Sequence, residues 1–295
     1  MKIITGLPDT PLRIAAAQTS SVRGDVAANV ATAARMIREA AAQGAALVVF
    51  PEKILTGYEP ALIVSDPARY AVTETDPRLA PIAEACRTTG AAAVVGAAVA
   101  GRSADDEPDP DPAGDGRTEL LISALVFGTD GTVLGRADKQ HLFATEVDYY
   151  VPGRTVCSFE LRGWRLGLGI CYDSGFPEHA RAAALDGCHA YLVGALFSRG
   201  GGELQYRTWF PARAIDNTVY TLLANHVGPA GSWDASGGSA FWGPDGQLVA
   251  QAPAHGDALV YADLDPAELA RVRTELTMLA DLPSGPATAA RRHLS

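Results

Sequence analysis

Cysteine is scarce and scattered in this chain: Cys86, Cys157, Cys171 and Cys188 stand far apart among 295 residues, with no C-x-x-C pair. That spacing argues against a zinc ribbon or a redox dithiol and makes reduced thiols the default. The six histidines also lack an H-x-x-x-H pair, so no structural metal is expected. Positive charge is in deficit as well, with 24 Lys and Arg against 34 Asp and Glu and a formal net charge of -10. A polyanion such as nucleic acid would be repelled. No run approaches the roughly 20 apolar residues of a membrane span. The opening "MKIITGLPDTPLRIAAAQ" also lacks the basic-then-apolar order of a signal peptide. These absences lead to the expectation of a soluble, cytoplasmic protein without a nucleic-acid or membrane partner.

Apolar residues, in contrast, make up 47% of the chain, enough for a sizeable core. They fall into alternating patterns. Leu12 to Gln18 reads as a strand, and Asp25 to Gln43 has helical spacing with Asp25 as its cap and Gly44 at its end. "ALVVFPE" is a short continuous apolar run of the kind buried on both faces of a sheet. A helix over Pro81 to Thr89 and the strand "AAAVVGAAV" repeat the alternation, which points to a layered α/β domain. Gly101 to Thr118, rich in Asp, Pro and Gly, reads as an acidic surface loop whose prolines break any regular calcium-binding spacing. Hairpin turns are expected at Asp130-Gly131, Arg162-Gly163 and Asp245-Gly246. Further helices are expected at Pro177 to Leu185, at Glu203 to Ile215 and from Pro266 onward, capped by Asp265. No linker divides the chain, so residues 1–295 are read as one domain, with 280–295 as a mobile or interface tail.

Three polar residues stand where apolar strands end: Glu52, Lys139 and Cys171. Strand ends are where layered α/β sheets present ligand sites. Taken singly, each has a plain structural reading. Cysteine is a small, usually inert core residue; Glu52 with Lys53 reads as a solvated charge pair, and Lys139 as a surface lysine. His179, eight residues beyond Cys171, suggests a Cys–His dyad, but a helical histidine pointing outward is the simpler reading.

The combination carries more. "FPEKILTGY" (Phe50 to Tyr58), "DKQHLFATE" (Asp138 to Glu146) and "GICYDSGFPE" (Gly169 to Glu178) resemble, in order and spacing, the three catalytic signatures of the nitrilase or carbon-nitrogen hydrolase superfamily. The resemblance extends from "IAAAQ" through "YYVPGR" and "ARAIDN" to "SAFWGPDGQLVA". It implies a four-layer α-β-β-α sandwich, with Cys171 as nucleophile, Glu52 as general base, Lys139 as the cation on the tetrahedral intermediate and Glu146 in a supporting position. Tyr58, Tyr172 and Phe197 are then expected to line the substrate pocket. The chemistry explains the residue types. A thiol attacks as thiolate and needs a base and nearby positive charge, and the developing oxyanion needs a fixed cation or N–H donor, here Lys139 and the N–H of Tyr172. Neither cofactor nor metal is implied.

Family members commonly pair through helices, so a homodimer or higher homo-oligomer is the expectation. "CYD" resembles the amidase and carbamoyl-hydrolase branches, whereas true nitrilases carry Trp-Glu after the cysteine. A small linear carboxamide is therefore the expected substrate. An N-carbamoyl amine is the alternative, with a nitrile or a non-catalytic binding role behind it. One departure bears on the substrate: amide hydrolases of the "CYD-x-R-FPE" type have arginine where this chain has Gly175.

Overall fold

The computed structural model describes residues 6–101 and 118–282. The expected acidic loop, apart from its two end residues, and residues 283–295 of the expected tail lie outside them. In chain order, strand β1 (Leu12–Gln18), helix α1 (Val26–Ala42) and strand β2 (Leu47–Val49) are followed by two short helices, α2 (Pro60–Ser65) and α3 (Pro67–Tyr70). Helix α4 (Ala80–Thr89) and strands β3 (Ala92–Ala100), β4 (Leu120–Phe127) and β5 (Val133–Asp138) come next. Strands β6 (Ser158–Leu161) and β7 (Trp164–Ile170) precede α5 (Pro177–Leu185), β8 (Ala190–Ala195), α6 (Gly201–Asn217) and β9 (Tyr220–Asn225). The chain then forms β10 (Val227–Ala230), β11 (Trp233–Ser236), β12 (Ala240–Trp242), β13 (Leu248–Gln251), β14 (Ala258–Leu264) and α7 (Pro266–Glu275).

Local chemistry accounts for many of these boundaries. The Asp25 side chain accepts the Ala28 N–H at the head of α1, and Asp265 does the same for Ala267 at α7. Proline is fixed in a helical φ and needs no donor, and it opens α2, α5 and α7. Leu161 pairs directly with Trp164, so the β6–β7 turn consists of Arg162 (φ 50) and Gly163 (φ 82), both left-handed as a two-residue hairpin demands.

Two six-stranded sheets result, ordered β14-β1-β2-β3-β4-β5 and β13-β12-β9-β8-β7-β6. Each has a parallel core of three strands, β1-β2-β3 or β7-β8-β9, flanked by antiparallel strands. The parallel core strands are buried on both faces. Ile14 and Ala16 pack with Leu166, Leu168 and Leu222 between the sheets, while Ala15 and Ala17 pack with Val30 and Ile37 of α1. On the far side Tyr191, Val193 and Leu223 meet Ala180 of α5 and Phe210 and Ala214 of α6. The order of layers is α-β-β-α, as expected. Double burial also explains why the parallel strands read as continuous apolar runs rather than alternating ones.

Candidate active site

The C-terminal ends of β2, β5 and β7 release the chain into three segments that meet. Glu52 follows β2 on a segment held between glycines of opposite sheets. A Cβ on Gly96 of β3 would lie 2.3 Å from the Pro51 carbonyl oxygen, and one on Gly194 of β8 would lie 2.4 Å from that of Phe50. Only bare Cα atoms permit so close an approach. His226, just beyond β9, donates its Nε2–H to the Glu52 carbonyl at 2.7 Å and fixes the segment from a third side.

Lys139 leaves β5 with its backbone N–H bonded to the Ile122 carbonyl at 2.8 Å. Its ammonium is 1% exposed and lies 2.8 Å from Glu52 Oε1 and 2.7 Å from Glu146 Oε2. Glu146, in the single turn Ala144–Asp148, also accepts the Phe143 N–H at 2.8 Å. Tyr58 donates its hydroxyl to Glu52 Oε2. Burial by itself would push the Glu52 carboxyl up, but the Lys139 and Lys53 ammoniums outweigh it and hold the group down at about 2. Burial opposes the charge on Lys139 too, yet Glu52, Cys171 and Glu146 hold its ammonium above the ordinary lysine range.

Cys171 heads a short turn, Cys171–Gly175, with φ 48, a left-handed conformation that is rare for a non-glycine residue. The turn is tied on both sides. Asp173 accepts the N–H groups of Ile170 and His141 at 3.1 and 2.9 Å, and buried Arg213 of α6 donates to the Ser174 and Gly175 carbonyls at 3.1 and 3.0 Å. The Cys171 thiol donates to the Leu196 carbonyl at 3.7 Å. Burial, then the charge of Glu52, pushes its pKa up against the pull of Lys139.

Glu52, Lys139, Glu146 and Cys171 line one cavity of about 170 Å³, together with Tyr58, Tyr172 and Phe197. All seven residues singled out in the sequence therefore converge. Lys53 and Lys139, which taken singly read as solvated, are both buried. Lys53 lies 3.5 Å from Glu146 Oε1 and 4.1 Å above the Tyr58 ring, with φ 49. Burial pulls its pKa down against the attraction of Glu52 and Glu146. His179 corrects another expectation. It does not point outward but is 4% exposed, bonded through Nδ1 to the Tyr191 hydroxyl at 2.9 Å and 3.8 Å from Asp173. It is absent from the cavity lining. Lys53, His226, Trp209 and Trp233 were missed. His226 carries the same signal as the others, a polar residue just past a buried strand, here β9, but it belongs to none of the three signatures.

The carbon-nitrogen hydrolase profile matches residues 13–274. Human omega-amidase NIT2 is 31% identical over 269 residues, spanning 88% of this chain and 90% of its own. Among solved structures, a cysteine-to-alanine variant of the Nesterenkonia sp. AN1 amidase in complex with butyramide superposes with a TM-score of 0.73 at 28% identity, covering 92% of this chain and 98% of that one. Saccharomyces cerevisiae Nit3 superposes with a TM-score of 0.79 at 25% identity over 98% and 100% of the two chains. With the profile running from β1 into α7, this chain belongs to the carbon-nitrogen hydrolase family.

Proposed function

We propose that the chain hydrolyses a small linear carboxamide to carboxylate and ammonia through a thioester on Cys171. One observation carries the reading: a thiol, a carboxylate with its charge held by two lysines, and a doubly paired ammonium line a single cavity. The relatives support it, since the omega-amidases and the Nesterenkonia enzyme are amidases.

The proton inventory shapes the mechanism. With the Glu52 carboxyl held down and the thiol pushed up, moving a proton from sulfur to carboxylate is uphill by itself. Attack and proton transfer are therefore coupled. Sγ bonds to the amide carbon while Glu52 takes its proton, and negative charge passes to the carbonyl oxygen, where Lys139 and the Tyr172 N–H stabilise it. Glu52 then gives the proton to the departing nitrogen, which leaves as ammonia. Water next attacks the thioester, losing a proton to Glu52, and that proton returns to sulfur as the carboxylic acid is released. The cycle needs no electron acceptor.

The runner-up substrate, an N-carbamoyl amine, would yield carbon dioxide as well as ammonia, so product analysis separates the two. Cys171→Ala is expected to lower the rate of ammonia release from any amide turned over by the wild type by at least 10³-fold, with the fold intact by circular dichroism. An undiminished rate would sink the thioester mechanism.

A further inference from the structure

Gly175 stands where the similar amide-hydrolase signature has arginine, and the space is not empty. A Cβ on Gly175 would lie 3.0 Å from Cη2 of the Trp209 indole, 3.1 Å from Cζ3 and 3.4 Å from Cζ2. Trp209, on α6, rests its ring on the bare Cα of residue 175, four positions beyond Cys171, and lines the same cavity as the thiol. Its neighbour Phe197 meets it edge-on at 5.9 Å between centroids. In the same lining Phe143 sits between Tyr172, at 5.1 Å, and Trp233, at 6.3 Å. We propose that Trp209, seated on Gly175, gives the acyl pocket an aromatic side, and that the substrate is an amide whose acyl group is apolar and uncharged. The proposal rests on the amide-hydrolase reading above and narrows its substrate.

The charge balance of the cavity supports it from both directions. Among the described lining residues the ionised groups are Glu52, Glu146, Lys53 and Lys139, two of each sign. Lys139 is committed to both carboxylates at 2.8 and 2.7 Å, and Lys53 lies 3.5 Å from Glu146 and over the Tyr58 ring. An acyl group with its own carboxylate would be stripped of water beside rings, with both cations already engaged. One carrying an ammonium would find both carboxylates engaged in the same way. The net charge of -10 adds a field unfavourable to an anionic substrate. The remaining polar groups of the wall, Ser198 and Gln205 among them, are neutral. Monoamides of dicarboxylic acids, N-carbamoyl amino acids and N-carbamoyl diamines all fail this balance, whereas an alkyl or aryl amide satisfies it.

The test compares two amides of equal shape and different charge, glutaric acid monoamide and 5-methylhexanamide, with acetamide as a probe too short to need the acyl wall. For the purified full chain, kcat/KM measured by ammonia release is expected to favour 5-methylhexanamide over the monoamide by at least 100-fold. Equal or reversed preference overturns the proposal while leaving the hydrolase reading intact. Trp209→Ala is expected to lower the ratio of kcat/KM for 5-methylhexanamide to that for acetamide at least tenfold, chiefly through KM. An unchanged ratio means that the indole only supports the turn, and overturns the assignment to Trp209. Gly175→Arg combined with Trp209→Ala is expected to narrow the charge preference at least tenfold. If these variants do not fold, the wild-type comparison alone decides. No turnover of any amide, acetamide included, overturns the hydrolase reading and this one with it.

Discussion

Lys53 is the residue whose environment departs furthest from what its neighbours in sequence suggest. Beside Glu52 it looks like half of a solvated pair, yet it is 2% exposed and 3.5 Å from a carboxylate 93 positions away. Its charge helps to hold Glu52 at about 2. Lys53→Met is therefore expected to let the Glu52 carboxyl rise, so that the base form is lost at a higher pH and the acid limb of the kcat/KM profile moves upward. A loss of roughly tenfold in kcat, corresponding to about 1.4 kcal/mol, is expected with it. Coincident acid limbs for the two proteins would show that Lys53 acts only on packing. At this scale the four central residues were legible because reactive side-chain types stand at strand ends in three ordered signatures. The burial of Lys53 and His179 was not, because it depends on Glu146, Tyr191 and Asp173, partners brought together only by the fold.

Elements set how tightly the Glu52 segment is held. Because Gly96 and Gly194 touch it from opposite sheets, the position of the carboxylate depends on the spacing of the two layers. Gly194→Ala forces a methyl group to within 2.4 Å of the Phe50 carbonyl oxygen. Overpacking of this kind costs about 1–3 kcal/mol, and urea unfolding should register that loss together with a fall in kcat/KM. Gly201→Ala, whose Cβ meets nothing within 4 Å, serves as the control and is expected to unfold within about 0.5 kcal/mol of the wild type. Equal midpoints for the two variants would remove the clamp. Strands and major helices were legible from periodicity, caps and turns such as Arg162-Gly163. Helices α2 and α3, of six and four residues, were not, being too short to show a period. The hairpin β10–β11, which carries Trp233 to the cavity, was missed for the same reason.

Across the whole molecule, acid is expected to weaken the fold. Burial pushes His226 down from 6.5 to about 4, and His189 likewise to about 4. The folded state then refuses protons that the unfolded chain accepts, so stability is lost as pH falls from 6.5 towards 4, by about 3 kcal/mol for His226. Glu52 adds a second loss as pH falls from 4.5 to about 2, where only the unfolded carboxyl is protonated at first. Urea unfolding at pH 7, 5.5 and 4.5 is expected to show steadily falling stability. His226→Gln, which keeps a donor for the Glu52 carbonyl, should flatten that slope, and an unaltered slope would clear His226 of the effect. The layered α/β class was legible in the alternation of patterns. Sheet order was not, since nothing local in "IAAAQ" announces that its antiparallel neighbour is β14, the strand before α7.

That pairing also sets a timetable. Strand β1 is bonded to β14 along its whole length, from Leu12 opposite Leu264 to Gln18 opposite Ala258. On a ribosome adding about 5–20 residues per second, the interval between the two strands is roughly 12–50 s. Throughout it, one edge of an alanine-rich strand is left open to any other extended chain. That edge closes only when β14 emerges and pairs with it.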